Sequence, residues 1–320
     1  MERELIMEKK AKIYVAGHRG LVGSAIVRKL KADGYNNLIM RERKELDLLR
    51  QSDVETFFDK ERPEYVFLAA AKVGGINANN TYRANFIYEN LQVQNNAIWS
   101  SCKFGVKKLI FLGSVCIYPK FAPIPVKEEY LLTGPLESTN EPYAIAKIAG
   151  IKLCEALWNQ YGFKAVSCMP ANLYGPYDNF DLQNAHVIPA LIRRFHEAKL
   201  LGAKSVTLWG TGNPRREFLH ADDAAAAIVF LMKNYNEKGL INIGTGEDIS
   251  VKDLAMLIKE IILYEGEIIW DTSKPDGTPR RPLDVTKIHS LGWRHSINFH
   301  TGLSQTCQWF KEHYKLDAKL

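Results

Sequence analysis

The chain has 320 residues, 46% of them hydrophobic and 24% charged, with a formal net charge of +6. A chain of this length buries enough surface to fold without disulfides or a structural metal, and its five cysteines (Cys102, Cys116, Cys154, Cys168 and Cys307) fall in no zinc or redox spacing. The basic excess is scattered, so it calls for no nucleic-acid partner and suits a solvated surface or an anionic small molecule, and no apolar stretch is long enough to span a bilayer.

Residues 1–10 are charged and lack an apolar centre, so they read as an N-terminal extension rather than a secretory signal, and a cytoplasmic location is expected. From residue 12 onward, short apolar runs alternate with amphipathic stretches. Residues 12–16 predict a buried strand, 17–23 a glycine-rich turn and 24–33 a helix. A strand at 38–40, helical spacing at 54–60, a strand at 65–71 and a long helix at 85–102 follow. Then come a strand at 108–114, a helix at 142–161 and a strand at 165–169. Strands alternating with helices predict an α/β fold, a Rossmann-type doubly wound parallel sheet covered on both faces. After Pro176 the rhythm changes, with helices expected at 187–199 and 251–260 between loops. The expected organisation is a dinucleotide-binding domain over 11–180, joined again by 217–245, and a smaller, mainly substrate-binding lobe over 181–320.

Gly17, Gly20 and Gly23 form a GxxGxxG turn between the first strand and the first helix. Glycines there let backbone N–H groups approach a pyrophosphate at a helix N-terminus, although the pattern alone is a weak signal. The second strand ends in Met40-Arg41-Glu42-Arg43, and Arg19 lies inside the turn. Arginines suit the 2′-phosphate of NADP(H) through charge-assisted bonds. Glu42 points the other way, toward a ribose hydroxyl, and solvated loop arginines are the plainer reading.

Tyr143 and Lys147 share one face near a helix start that carries Pro142. An ammonium beside a phenol lowers its pKa, which suits proton transfer to or from a sugar oxygen near neutral pH. Ser114 ends the strand 108–114, at the edge where open sheets bind ligands, within reach of the same oxygen. Cys116 lies two residues on, so an extended chain would turn both side chains into one crevice. There Cys116 could act as a base or sit as an inert buried thiol. His186 starts a helix of the second lobe, where a capping or packing role is the plainer reading.

The glycine turn, the serine and the YxxxK pair, in this order along the chain, resemble the short-chain dehydrogenase/reductase superfamily. A more specific resemblance rests on longer stretches. The stretches that carry this include Ala16-Gly17-His18-Arg19-Gly20, Ala69-Ala70-Ala71-Lys72-Val73-Gly74-Gly75 and Cys116-Ile117-Tyr118-Pro119. Further matches are Asn140-Glu141-Pro142-Tyr143, Asn172-Leu173-Tyr174-Gly175-Pro176, Arg216-Glu217-Phe218-Leu219-His220 and Ser273-Lys274-Pro275-Asp276-Gly277-Thr278-Pro279-Arg280. They cover nearly the whole chain after about residue 11, and through them it resembles the GDP-L-fucose synthase family, the 3,5-epimerase/4-reductases of GDP-4-keto-6-deoxy-D-mannose. Val115 and Arg281-Pro282 depart from the pattern, where a second serine and a Lys-Leu pair are familiar.

The resemblance implies Ser114, Tyr143 and Lys147 for reduction, Cys116 as the epimerisation base and His186 as the acid on the opposite face. For NADP(H) it implies Gly17, Arg19, Gly20, Leu21, Val22 and Gly23 in the turn, with Arg43 and Leu48 beyond it. It adds Ala70, Ala71, Leu112 and Lys147, then Pro170, Asn172, Leu173 and His186 along the sheet edge. For the GDP-sugar it implies Arg194, Trp209, Arg216 and Asp284, and for assembly a homodimer; no metal is expected. Other readings are an NAD-dependent nucleotide-sugar 4-epimerase or 4,6-dehydratase, or a catalytically silent cofactor-binding sensor. An acidic residue beside Ser114 would favour a dehydratase, and Val115 and Cys116 offer none.

Overall fold

The computed structural model describes residues 7–274, 276 and 279–314. The first six residues of the expected extension, Pro275, Gly277 and Thr278 of the stretch quoted above, and residues 315–320 lie outside them. In chain order the first elements are β1 (Ile13–Ala16), α1 (Leu21–Ala32), β2 (Leu38–Ile39), α2 (Gln51–Glu61) and β3 (Tyr65–Leu68). Next come α3 (Ile76–Thr81), α4 (Arg83–Lys103), β4 (Lys108–Leu112), α5 (Glu141–Tyr161), β5 (Ala165–Pro170) and β6 (Asn172–Tyr174). The remainder is α6 (Val187–Leu200), β7 (Ser205–Trp209), β8 (Arg215–Arg216), β9 (Phe218–His220), α7 (Ala221–Asn234) and β10 (Leu240–Ile243). It closes with β11 (Ile249–Ser250), α8 (Val251–Ile262), β12 (Glu267–Asp271), α9 (Thr286–Ser290) and α10 (Phe299–His313).

Six strands form one parallel sheet in the order β10-β5-β4-β3-β1-β2. β1, β3, β4, β5 and β10 are buried at every position, which explains their largely apolar runs, interrupted by buried Lys108, Ser167 and Asn242: a parallel strand covered by helices has no polar face. α1 packs against α7, while α2, α4 and α5 pack in a row. The strand order reverses between β1 and β3, the point where doubly wound sheets open a crevice beyond the carboxyl ends of their strands.

Buried side chains divide into two clusters. One runs through the sheet and its helices and includes Leu283, Val285, Ile288 and Trp293 from late in the chain. The other joins α6, α8 and α10 through residues such as Ile192, Phe195, Leu254 and Phe310. Around it lie short strand pairs, β7 with β12, β8 with β11 and β6 with β9, where the rhythm of the sequence suggests only loops. Each strand is too short, or too exposed on one side, for its pattern to stand out; β7 alternates exposed and buried over five residues. The five cysteines are all free thiols. Among the described residues no helix is long and apolar enough to cross a membrane, and no group of three or more His, Cys, Asp or Glu could hold a metal ion.

Candidate active site

The glycine turn is shaped by two different demands. Gly17 has φ +80°, and a Cβ there would lie 2.9 Å from the Ala69 carbonyl carbon and the Ala70 nitrogen, where the loop after β3 crosses. A Cβ on Gly23 would stand 2.0 Å from the Gly17 oxygen. These two glycines are needed for the turn to close on itself. Gly20 is not: it has φ −80°, and a Cβ there would meet only the Gly17 oxygen, at 3.6 Å. Gly20 is exposed and caps α1 with no side-chain bond, so Leu21 and Val22 begin the helix one turn earlier than the glycine spacing suggests. Open room beside uncapped helix N–H groups fits the pyrophosphate of a dinucleotide.

The other expected cofactor positions fall along the same edge. Ala70 and Ala71 follow β3, Leu112 ends β4 and Pro170 ends β5. Leu48 is fixed by its carbonyl, which accepts the Asn96 amide at 2.9 Å, and the Asn172 amide donates to the Glu217 carbonyl at 2.8 Å with Leu173 beside it in β6. Arg19 pairs with Glu42 at 2.8 Å, and exposed Arg43 stands 3.8 Å from Asp47. Arg41 is committed elsewhere, to Glu61 on α2 at 2.8 Å.

The strand expected to reach Ser114 stops at Leu112, and the chain turns into a short 3₁₀ helix, Val115–Ile117. Ser114 caps it, its Oγ accepting the Cys116 N–H at 3.4 Å. The extended geometry expected for Ser114 and Cys116 is therefore replaced by a turn, because the serine oxygen offers a backbone N–H a local partner. The two residues still meet, since the Ser114 hydroxyl lies against both the Cys116 thiol and the Tyr143 phenol. α5 supplies Tyr143 and Lys147, with Pro142 in its first turn and left-handed Gly162 at its end. Tyr143 packs edge-on against Phe86 of α4 at 6.0 Å. The Lys147 ammonium donates to the Leu112 carbonyl at 2.7 Å and lies 5.8 Å from the Tyr143 ring centre.

These surroundings set the charges. Burial raises the Tyr143 pKa, the neighbouring Cys116 adds to the rise, and the Ser114 hydroxyl opposes it. The lowering expected from Lys147 is thus outweighed: the ammonium is turned to a carbonyl, and burial drives Lys147 itself down to about 8. Burial pushes the Cys116 thiol up to about 11, opposed by Ser114, Lys147 and Arg281. Phenol and thiol both hold their protons at neutral pH.

His186 caps α6 with no side-chain bond to the helix. Its ring touches solvent, yet protein crowds round it enough that desolvation lowers its pKa, as befits the wall of a cleft. The loop before it is tied to the sheet edge, where the Gly75 N–H donates to the Asn184 carbonyl at 2.9 Å.

Of the residues expected to hold the GDP-sugar, Trp209 is 67% exposed at the end of β7, open to stack on a planar base. Arg194, on α6, has no hydrogen bond or ion pair among the described residues. Arg216, in β8, has its pKa lowered by burial and by nearby Arg281. Asp284 already has structural work: its carboxylate accepts the Thr286 N–H at 2.9 Å at the start of α9.

Two residues go beyond what the sequence pattern picks out. Arg281 donates to the Pro119 carbonyl at 3.0 Å and the Val115 carbonyl at 3.5 Å, which clasps the turn holding Cys116. Glu217 is buried, and its carboxylate accepts the Thr245, Gly246 and Leu283 N–H groups at 2.7, 2.9 and 2.7 Å. That links β9, next to Arg216, to the segment carrying Arg281. An acid between Arg216 and buried Phe218 is the only trace of this in the sequence, and its partners are remote along the chain.

Residues 13–244 match the model of the NAD dependent epimerase/dehydratase family. The chain is 60% identical over 303 residues to GDP-L-fucose synthase 1 of Arabidopsis thaliana, covering 95% of this chain and 94% of that protein. It superposes with a TM-score of 0.93 and 41% identity on a GDP-6-OMe-4-keto-L-xylo-heptose reductase from C. jejuni, covering 96% and 99% of the two chains. With a GDP-L-fucose synthetase from Naegleria fowleri bound to NADP, the TM-score is 0.90 and the identity 30%, covering 98% and 96%.

Proposed function

Because the chain belongs to the NAD dependent epimerase/dehydratase family, we propose that it is an NADPH-dependent oxidoreductase that converts GDP-4-keto-6-deoxy-D-mannose to GDP-L-fucose by 3,5-epimerisation and 4-reduction. The observation that carries this reading is the convergence of Ser114, Cys116 and Tyr143 on one point beside Lys147, at the mouth of the glycine-turn edge. Likeness to a plant GDP-L-fucose synthase over nearly the whole chain supports the substrate.

The ketone at carbon 4 acidifies the protons on carbons 3 and 5. Cys116 removes one, the electron pair passes to the carbon-4 oxygen, and His186 returns a proton from the other face. Ser114 and the Tyr143 phenol hydrogen-bond the oxygen as it gains charge, which is how a preorganised site lowers such a barrier. The working pair of thiolate and imidazolium is the minor proton distribution in the free site, where burial holds the thiol protonated and the imidazole neutral. NADPH, when bound, supplies the hydride for carbon 4. Tyr143, held neutral by burial, donates its proton to the carbon-4 oxygen, and Lys147 braces the end of β4 and takes the ribose side. Gly17, Arg19, Gly20, Leu21, Val22 and Gly23 hold the cofactor together with the sheet-edge positions described above. Arg194 and Arg216 clamp the diphosphate, Trp209 stacks on the guanine, and Asp284 completes that subsite.

The same proposal assigns residues 11–180 with 217–245 to the cofactor and most of 181–320 to the sugar nucleotide. It places the protein in the cytoplasm as a homodimer joined through α4 and α5. Incubation with NADPH and GDP-4-keto-6-deoxy-D-mannose tests the reaction. One NADPH consumed per GDP-L-fucose formed is expected. Turnover without net NADPH loss would point instead to a 4-epimerase or dehydratase that cycles its cofactor.

A further inference from the structure

Arg19, the cation of the glycine turn, does not stand alone: its Nη1 lies 2.8 Å from Oε1 of Glu42. Glu42 comes just past the end of β2, about 20 residues beyond the turn, where doubly wound folds place the acid that accepts a ribose 2′-hydroxyl. Its position is fixed by its own loop. The Glu42 N–H donates to the Glu45 carboxylate at 2.7 Å, and its carbonyl accepts the Glu45 and Leu46 N–H groups at 2.9 Å. Lys44 stands 3.3 Å from the other carboxylate oxygen. Arg41 is tied to Glu61 and to the Met40 carbonyl, and Arg43 is loosely placed 3.8 Å from Asp47. At the adenosine end, then, Arg19 and Lys44 share one anchored carboxylate, while Arg41 is engaged elsewhere.

Such a site answers the two nicotinamide cofactors differently. A ribose hydroxyl donates to a carboxylate, and Arg19 can stay paired. A 2′-phosphate needs Arg19 for itself and then lies beside a carboxylate left with Lys44 alone, 3.3 Å from its far oxygen, and that carboxylate repels it. The Arg19 side chain is largely solvent-exposed, so the pair holds only weakly, which lets the phosphate take the arginine while the repulsion remains.

We propose that Glu42 sets the choice between NADPH and NADH in this chain, accepting the ribose hydroxyl of NADH and competing with the phosphate of NADPH for Arg19, so that both cofactors bind with a modest preference for NADPH. This rests only on the nicotinamide-cofactor part of the function given above, and it is tested without any sugar nucleotide. Dissociation constants for NADPH and NADH are measured by calorimetry for the unaltered protein, Glu42→Gln and Arg19→Met. Glu42→Gln is expected to tighten NADPH and weaken NADH, moving the ratio of the two constants about tenfold toward NADPH. Arg19→Met is expected to weaken NADPH about tenfold and leave NADH within about twofold. A Glu42→Gln ratio within about twofold of the original, or equal tightening of both cofactors as a change of net charge alone would give, overturns the inference. Failure of the unaltered protein to bind either cofactor would count instead against the cofactor reading itself.

Discussion

The glycine turn after β1 and the Ser114–Cys116 turn after β4 leave the same sheet edge from buried parallel strands, yet they build their sites by opposite means. The first works through the backbone: Gly17 and Gly23 close the turn because a Cβ would collide, and Gly20 leaves room for a ligand. The second works through side chains from remote segments, with Tyr143 and Lys147 from α5 and Arg281 from late in the chain meeting at Cys116, and Phe86 of α4 packed on Tyr143. Apart from Arg19, whose charge meets the cofactor, a backbone site tolerates exchange of its side chains and fails when a Cβ is added. A side-chain site should show the reverse, with altered chemistry and an unchanged fold.

Tyr143→Phe should show the largest effect, a fall of about 10³-fold in NADPH consumption at saturating substrate, with the dissociation constant for NADPH within about twofold. A loss below about tenfold would remove Tyr143 as the proton donor. Cys116→Ser should lower exchange of solvent deuterium into carbons 3 and 5 by about 10²-fold, with thermal unfolding unchanged. In the glycine turn the two demands should separate. Gly23→Ala should destabilise the protein by about 3 kcal/mol, read by denaturant unfolding. Gly20→Ala should leave stability intact and weaken NADPH about tenfold, since its Cβ enters the ligand's room rather than the protein's. Equal loss of stability in both variants would break the distinction.

The smallest expected effect concerns protons. With the Cys116 thiol pushed up to about 11, its thiolate fraction rises about tenfold per pH unit between pH 7 and 9, and alkylation of this cysteine should rise in step. Arg281→Met removes a cation that favours the thiolate, so alkylation at a given pH should fall about threefold, and Arg281→Lys should restore most of it. Indifference to both substitutions would reduce Arg281 to a clasp on the turn.

The same contrast explains how much the sequence discloses. Buried strands and the glycine turn are local, so largely apolar runs and glycine spacing reveal the sheet and the cofactor edge. The YxxxK spacing reveals Tyr143 and Lys147, but not that burial would outweigh the ammonium and raise the phenol's pKa. Ser114 looks like the end of a strand because nothing in its neighbours announces the 3₁₀ turn that its own hydroxyl caps. Arg281 and Glu217 act across long separations, through carbonyls and N–H groups that carry no side-chain identity. The pair β8–β11 stays hidden because each strand has two residues, and β7 because its five-residue alternation ends on an apolar residue, Trp209, that faces solvent.

The most direct test of a single crevice serving both reactions is turnover in deuterated water with NADPH and GDP-4-keto-6-deoxy-D-mannose, comparing the unaltered protein with Cys116→Ser and following the sugar by NMR. The account predicts deuterium at carbons 3 and 5 of the GDP-L-fucose formed by the unaltered protein, and exchange lost in Cys116→Ser while Tyr143 still supports reduction of the unepimerised ketone. Deuterium entering at the unaltered rate in Cys116→Ser would contradict it, and would place the base outside the turn that Ser114 caps.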